Sequence, residues 1–213
     1  GLATEATECL SNPVTIKQVL AAVGQVHLVA AWQRAFQAHG LITAQILLSK
    51  SDFQSREHYL DTRACLSAAL AAGIVPIINE NDVVAATDFM FSDNDELAGL
   101  LAGMMGAEIL ALLSSVEGVL NPQSGQLIET WDDGHHTVDN VVQSGGSKLG
   151  RGGMHSKLAE ARKAAALGTR VIIANGRADQ VLSHIVKGEP IGTRFPSSRT
   201  VTPAKRWLAV MDD

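Results

Sequence analysis

A chain of 213 residues that is 46% hydrophobic, 18% charged and 4% aromatic is long enough to bury a sizeable core as one α/β domain. Its formal net charge of -5, with no basic block, argues against nucleic acid or an anionic membrane as a partner, so an anionic ligand must be held by local groups. Cys9 and Cys65 have no spacing that suggests zinc or a redox pair, and a disulfide framework is not expected in so large a domain, which fits a reducing cytosol. No apolar run is read as approaching the ~20 residues that span a bilayer. The first ten residues carry two Glu and no Lys or Arg, unlike a secretory leader. The expectation is a cytoplasmic protein without a membrane or nucleic-acid partner.

In chain order, Ile16, Val19, Leu20, Val23 and Ala30 recur at helical spacing, with Pro13 before the start and Gly40 as the stop. Residues 44–48 read as a buried strand and 56–72 as a helix closed by Gly73. A second strand covers 74–78, where Pro76 marks a sheet edge or a strand start. Residues 83–92 read as a loop, 95–106 as a helix with Leu97, Leu100, Leu101 and Met104 on one face, and 108–114 as a third strand. Residues 121–153 are polar and Gly-rich, with weak structure. A helix over 156–167, a strand over 170–174, a short helix over 180–186 and an edge strand over 191–195 follow, and 196–213 is an exit segment. Strands alternating with helices imply a mostly parallel sheet with right-handed crossovers, which binds ligands at the carboxyl ends of its strands.

Polar segments fall at those ends after the second strand (Asn79-Glu80-Asn81-Asp82), the third (Ser114, Ser115) and the fourth (Asn175, Gly176), and a second Asp/Asn cluster, Ser92-Asp93-Asn94-Asp95, lies ten residues beyond the first. Asp and Asn suit the ends of elements, where they bond backbone or ligand, so the clusters read either as a turn and a helix N-cap or as a polar pocket. Gly150-Arg151-Gly152-Gly153-Met154-His155-Ser156-Lys157 is the next signal. Glycines let backbone N–H groups approach a phosphate, and Lys157, read as lying in the first turn of the following helix, would oppose the helix dipole unless an anion is near. The alternative is a surface loop with a solvated lysine, and the motif is neither a Walker A loop nor a dinucleotide fingerprint. Ser114 and Ser115 end a hydrophobic strand, where hydroxyls contact a nucleotide or cap a turn.

The motifs PIINEND, SDNDELAGLLA, LLSSVEGV, LGRGGMHSK, VIIANG and GTRF, with KQVLAAVGQ upstream, resemble the glutamate 5-kinases of the amino acid kinase family. The resemblance implies a three-layer αβα sandwich with a mostly parallel central sheet, one kinase domain over 1–213, and transfer of the γ-phosphate of ATP to the side-chain carboxylate of L-glutamate, the first step of proline biosynthesis. It implies that Asp82 takes the substrate ammonium, with Asn94 and Asn79 beside it. Asp95 would orient catalytic lysines, and Lys157 would meet the ATP phosphates. Arg151, Gly152, Gly153, Met154, His155, Ser156 and Lys157 would form the nucleotide loop, with Ser114 and Ser115 at the base or ribose. Mg²⁺ would travel with ATP, no protein metal site is implied, and a homo-oligomer with proline as feedback inhibitor is expected. Against the family pattern, the N-terminal Gly-rich loop with its phosphate-binding lysine and the Ser-Gly-Ala substrate loop are absent, Ser115 stands where relatives carry Asp, and the C-terminal RNA-binding-like domain is not present. Two other readings carry over: a non-catalytic glutamate- or nucleotide-binding subunit, and a related kinase with another acceptor such as carbamate, aspartate, N-acetylglutamate or a nucleoside monophosphate.

Overall fold

The computed structural model describes residues 12–84, 91–134 and 151–197, with side chains from 153 onward in the last stretch. His135-His136, the segment from residue 144 to 150, and the exit segment beyond 197 lie outside the described residues. Two compact units divide the chain, Gly1–Ser92 and Asp93–Asp213.

In the first unit α1 (Pro13–Gln37) leads into β1 (Ile42–Leu48), α2 (Lys50–Gln54), α3 (Arg56–Ala71) and β2 (Ile74–Glu80). The start of α1 is set by Asn12, whose Oδ1 accepts the Val14 N–H at 2.9 Å, and by Pro13 at the first helical position, where a missing N–H costs nothing. α2 was not expected. It is held by a reciprocal capping box in which the Ser49 N–H donates to Asp52 at 2.7 Å. β1 and β2 pair in parallel from Ile42 opposite Ile74 to Leu48 opposite Glu80. Among the described residues β2 has β1 as its single strand neighbour, in agreement with Pro76 as an edge signal.

α1 corrects one expectation. It is 25 residues long with a mean hydropathy of 1.4 over its most apolar window, which by length and composition is enough to cross a membrane. Its Ala and Val residues surround the helix, so Lys17, Gln18, Gln25 and Arg34 dilute the apolar run without ending it. Core helices of soluble proteins pass the same test but are mostly buried, whereas none of this window of α1 is buried.

The second unit contains α4 (Asn94–Met105), β3 (Ile109–Ser114), α5 (Arg151–Ala166), β4 (Arg170–Asn175), α6 (Val181–Lys187) and β5 (Thr193–Phe195). β3 and β4 are parallel, Ile109 opposite Arg170 through Ser114 opposite Asn175, and β5 runs antiparallel on the other side of β4 as the expected edge strand. A near-continuous apolar run in β4, from Val171 to Ala174, is buried, as a strand covered on both faces requires. One face packs Val171 and Ile173 against Leu158, Ala161 and Phe195, and the other packs Ile172 and Ala174 against Val181 and Ile185. Trp131 stacks on Phe195 with ring centroids 5.4 Å apart, which ties residues 128–131 to β5.

The turn into β5 depends on Gly192. Its φ is +64°, and a Cβ there would stand 2.1 Å from the Ile173 carbonyl oxygen and 3.0 Å from Ala174 Cα. Gly192→Ala is expected to lower the unfolding free energy by about 3 kcal/mol or more, read as a fall in denaturant midpoint at constant slope. Gly24→Ala in α1, where a Cβ meets nothing within 4 Å, should instead stabilise by up to ~1 kcal/mol. Equal losses at both sites would contradict this account of the backbone.

Candidate active site

α4 and α5 each run antiparallel to the strand that follows, so their N-termini face the carboxyl ends of β3 and β4, where α/β folds bind ligands. The start of α4 is built by Asp93, whose Oδ1 accepts the N–H groups of Asp95 at 3.0 Å and Glu96 at 3.1 Å. The helix-cap reading of the second polar cluster therefore holds for Asp93, and Gly106 at φ +64° closes the same helix. Asn94 is exposed at the first helical position.

Asp95 does more than favour the helix dipole. Its two carboxylate oxygens each accept a hydrogen bond from Lys157 Nζ at 2.7 Å, with the two side chains 16% and 18% exposed. Such a charge-assisted contact, largely withdrawn from water, is worth about 1.5–3 kcal/mol. A lysine held this way keeps its ammonium in one place and retains a third donor for an anion.

Two readings of the glycine segment need correction. The helix begins at Arg151, not Ser156, so residues 151–156 form its first turns and are not a loop in this state. Lys157 is the seventh helical residue, past the turn where the dipole opposes a cation, and the anion it meets here is Asp95. The strongly helical run after Met154 extends back through Gly152 and Gly153, against the ~1 kcal/mol that each glycine costs relative to Ala. Met154 packs against the core, His155 and Gly153 are exposed, and Ser156 is half-buried.

Ser114 ends β3, and its carbonyl accepts the Gly176 N–H at 2.8 Å; Ser115 is exposed just beyond. Two further residues stand at the same edge, Asn175, expected there as a polar strand end, and Glu117, to which the sequence assigned no role. Asn175, the last residue of β4, accepts the Arg177 N–H at 2.9 Å through Oδ1 and donates through Nδ2 to Glu117 at 2.7 Å.

In the first unit the NEND cluster ends β2 and turns. Asn79 Nδ2 donates to Gln25 Oε1 at 3.1 Å, Glu80 accepts the Phe91 N–H at 3.0 Å, and the Asn81 N–H donates to the Leu48 carbonyl at 2.7 Å. Asp82 is half-buried in the turn that follows. Gln25 on α1 was not expected as a partner, and its Nε2 is a buried donor without an acceptor among the described residues. The structure thus joins Asp95 to Lys157 and sets Asn94 beside Asp95 in the second unit, while Asn79 and Asp82 belong to the first. Among the described residues no cluster of three or more His, Cys, Asp or Glu side chains is arranged to hold a metal. An open cleft of about 440 Å³, lined by Trp131, Asp133, Arg162 and Phe195 among others, contains none of the site residues read from the sequence. The strand-end geometry is the better guide, because it gathers the charged groups.

The model of the Amino acid kinase family matches residues 2–175. The chain is 43% identical over 203 residues to glutamate 5-kinase of Chlorobaculum tepidum, covering 94% of this chain and 56% of that protein. It is 39% identical to glutamate 5-kinase of Bacteroides thetaiotaomicron, covering 93% and 57%. It therefore spans little more than half the length of these relatives. The solved structure of N-acetylglutamate synthase from Neisseria gonorrhoeae, complexed with coenzyme A and N-acetyl-glutamate, matches with a TM-score of 0.57 at 21% identity, over 85% of this chain and 45% of that one. This similarity concerns the fold alone, an α/β arrangement of helices on a mostly parallel sheet. With the family model matched over most of its length, the chain belongs to the amino acid kinase family.

Proposed function

We propose that this chain forms most of a single kinase domain that phosphorylates the side-chain carboxylate of L-glutamate with ATP, giving γ-glutamyl phosphate for proline biosynthesis. The observation that carries the reading is the Lys157–Asp95 couple at the carboxyl edge of β3 and β4. The 39–43% identity to proteins named glutamate 5-kinase supports the choice of acceptor.

Both reactants are anionic, so the site must neutralise charge and hold the groups in line. Lys157 Nζ supplies a fixed positive charge for phosphate oxygens, and Asp95 keeps it aimed. Asn94 and Asp82 receive the amino acid, Asp82 through the free ammonium, with Asn79 alongside. Ser114 and Ser115 face the nucleoside end. Arg151 through Ser156 present the start of α5 to the phosphates, and Gly153 fits this role: a Cβ there meets nothing, so packing gives no reason for a glycine. Mg²⁺ would arrive on the phosphate oxygens and there offset their charge. A cytoplasmic location, assembly as a homo-oligomer and inhibition by proline complete the reading.

The test is glutamate-dependent ADP release by this polypeptide and by a version extended at its N-terminus. Activity in either form supports the reading, and none in both favours a binding role without turnover. In the active form, Lys157→Ala should lower turnover about a hundredfold or more while moving the glutamate KM far less; unchanged turnover would make Lys157 a solvated surface lysine. Asp82→Ala should chiefly raise the glutamate KM, and unaffected glutamate saturation would remove it from the site. Gly153→Ala should raise the melting temperature, because Ala is the better helix former, yet weaken ATP binding. Tighter or equal ATP binding would exclude close approach of the phosphates at residue 153.

A further inference from the structure

Gln25 sits on the apolar helix α1 with half of its amide in use. Its Oε1 accepts Asn79 Nδ2 at 3.1 Å, while its buried Nε2 has no acceptor among the described residues. An orphaned buried donor destabilises a fold, and Leu or Met at the same position would remove it, so stability does not account for a glutamine here. The same face of α1 makes a second contact of this kind. Gln18, seven residues earlier, donates through Nε2 to the Val83 carbonyl at 3.0 Å. The two contacts bracket Asp82 along the chain. The backbone between them is pinned independently: the Asn81 N–H donates to the Leu48 carbonyl at 2.7 Å, and the Asn81 carbonyl accepts the Val84 N–H at 3.1 Å. Asn79 lies within the parallel ladder, opposite Leu47. What Gln25 sets is therefore the orientation of the Asn79 side-chain amide.

We infer that Gln25 is a positioning residue for the amino-acid acceptor: by holding Asn79 Nδ2, it keeps the Asn79 carbonyl oxygen free as a second acceptor, with Asp82, for the substrate's free ammonium. This deepens the glutamate reading above and rests on it. The nitrogen and oxygen of an amide lie on opposite sides of its carbon, so a held Nδ2 leaves Oδ1 facing away from Gln25. Asn79 Oδ1 accepts no hydrogen bond among the described residues. An ammonium is donor-only, with three N–H groups, so one carboxylate does not use all of them. A flipped Asn79 would meet it with another donor, and the two orientations of an amide are nearly isosteric, so a partner is needed to choose between them. A charged donor on a carbonyl oxygen makes a charge-assisted hydrogen bond, and fixing that oxygen beforehand spares the ordering cost on binding.

The experiment is titration with L-glutamate, and with glutarate, which lacks the amine, as its competitor. It uses this polypeptide and its N-terminally extended form, each with the native sequence, Gln25→Met, Gln25→Glu, Asn79→Ala and the Gln25→Met/Asn79→Ala pair. Gln25→Met should weaken glutamate about tenfold, as loss of a hydrogen bond to a charged group does, and leave glutarate within about twofold. Its melting temperature should be unchanged or higher, because the orphaned donor is gone, whereas a merely structural role would lower it. In the Asn79→Ala background the same substitution should weaken glutamate no further, since it acts through Asn79. Gln25→Glu still accepts from Asn79 Nδ2 and leaves no donor orphaned, so it should retain the preference for glutamate over glutarate. Unchanged glutamate binding in Gln25→Met, or equal losses for glutamate and glutarate with a lower melting temperature, would overturn the inference and leave the glutamate reading intact. Absence of glutamate binding by both native forms would overturn both.

Discussion

The ion pair between Lys157 and Asp95 is the constraint around which the second unit is organised. It joins two helices that arrive at the sheet from separate parts of the chain, and it does so at the edge where strand carbonyls and helix N-termini converge. Each partner is fixed by its own element. Asp95 is carried by a helix whose first turn is capped by Asp93, and Lys157 by a helix whose inner face buries Leu158, Ala161 and Ala164. Removing the carboxylate would leave an ammonium 18% exposed without its counter-charge, a penalty of about 1–3 kcal/mol or more. Removing the lysine would take away the fixed cation. The pair is thus a structural contact that also fixes a positive charge at the strand edge.

Supporting parts of the site are built by the same logic of anchoring short polar segments to buried strands. The β4 core, closed by the tight turn at Gly192 and by Thr193, holds β5 in place, and Thr193 in turn fixes the backbone beyond β3. Polar side chains at the strand ends then bond to one another, as Asn175 does with Glu117, and present carboxylate and hydroxyl groups at one edge. In the first unit Glu80 plays a comparable part, accepting the Phe91 N–H at the end of β2. Such contacts cost little in a rigid frame, because the backbone carrying them is already ordered.

Much of this was legible in the sequence, and the exceptions have physical causes. The long apolar runs of β3 and β4, the glycine stops after α1, α3 and α4, and the cap at Asp93 are local signals, so each element was found with ends within a few residues. α2 was missed because five residues with one buried Phe53 have no periodicity, and only the Ser49–Asp52 box marks them. The start of α5 was misplaced because paired glycines read as a loop, while helical context extended through them. The apolar length of α1 was underestimated because scattered polar residues interrupt it to the eye but lower its mean hydropathy little. Asn175 was legible as a polar strand end, but its contact with Glu117 gave no signal, since it joins positions 58 residues apart and depends on which strands lie side by side. The pairing of Asp95 with Lys157 was expected only through family resemblance, for no spacing rule links residues 62 apart.

The account stands or falls on whether the fixed lysine serves transfer of a phosphoryl group to the side-chain carboxylate of glutamate. An acyl phosphate is captured by hydroxylamine as a stable hydroxamate, so the decisive measurement is hydroxamate formation from ATP with either L-glutamate or N-acetylglutamate, by this polypeptide and its N-terminally extended form. The account predicts γ-glutamyl hydroxamate from glutamate, little product from N-acetylglutamate because Asp82 is matched to a free ammonium, and loss of product in Lys157→Ala. No hydroxamate from glutamate in either form, or equal amounts from the two acceptors, would contradict it.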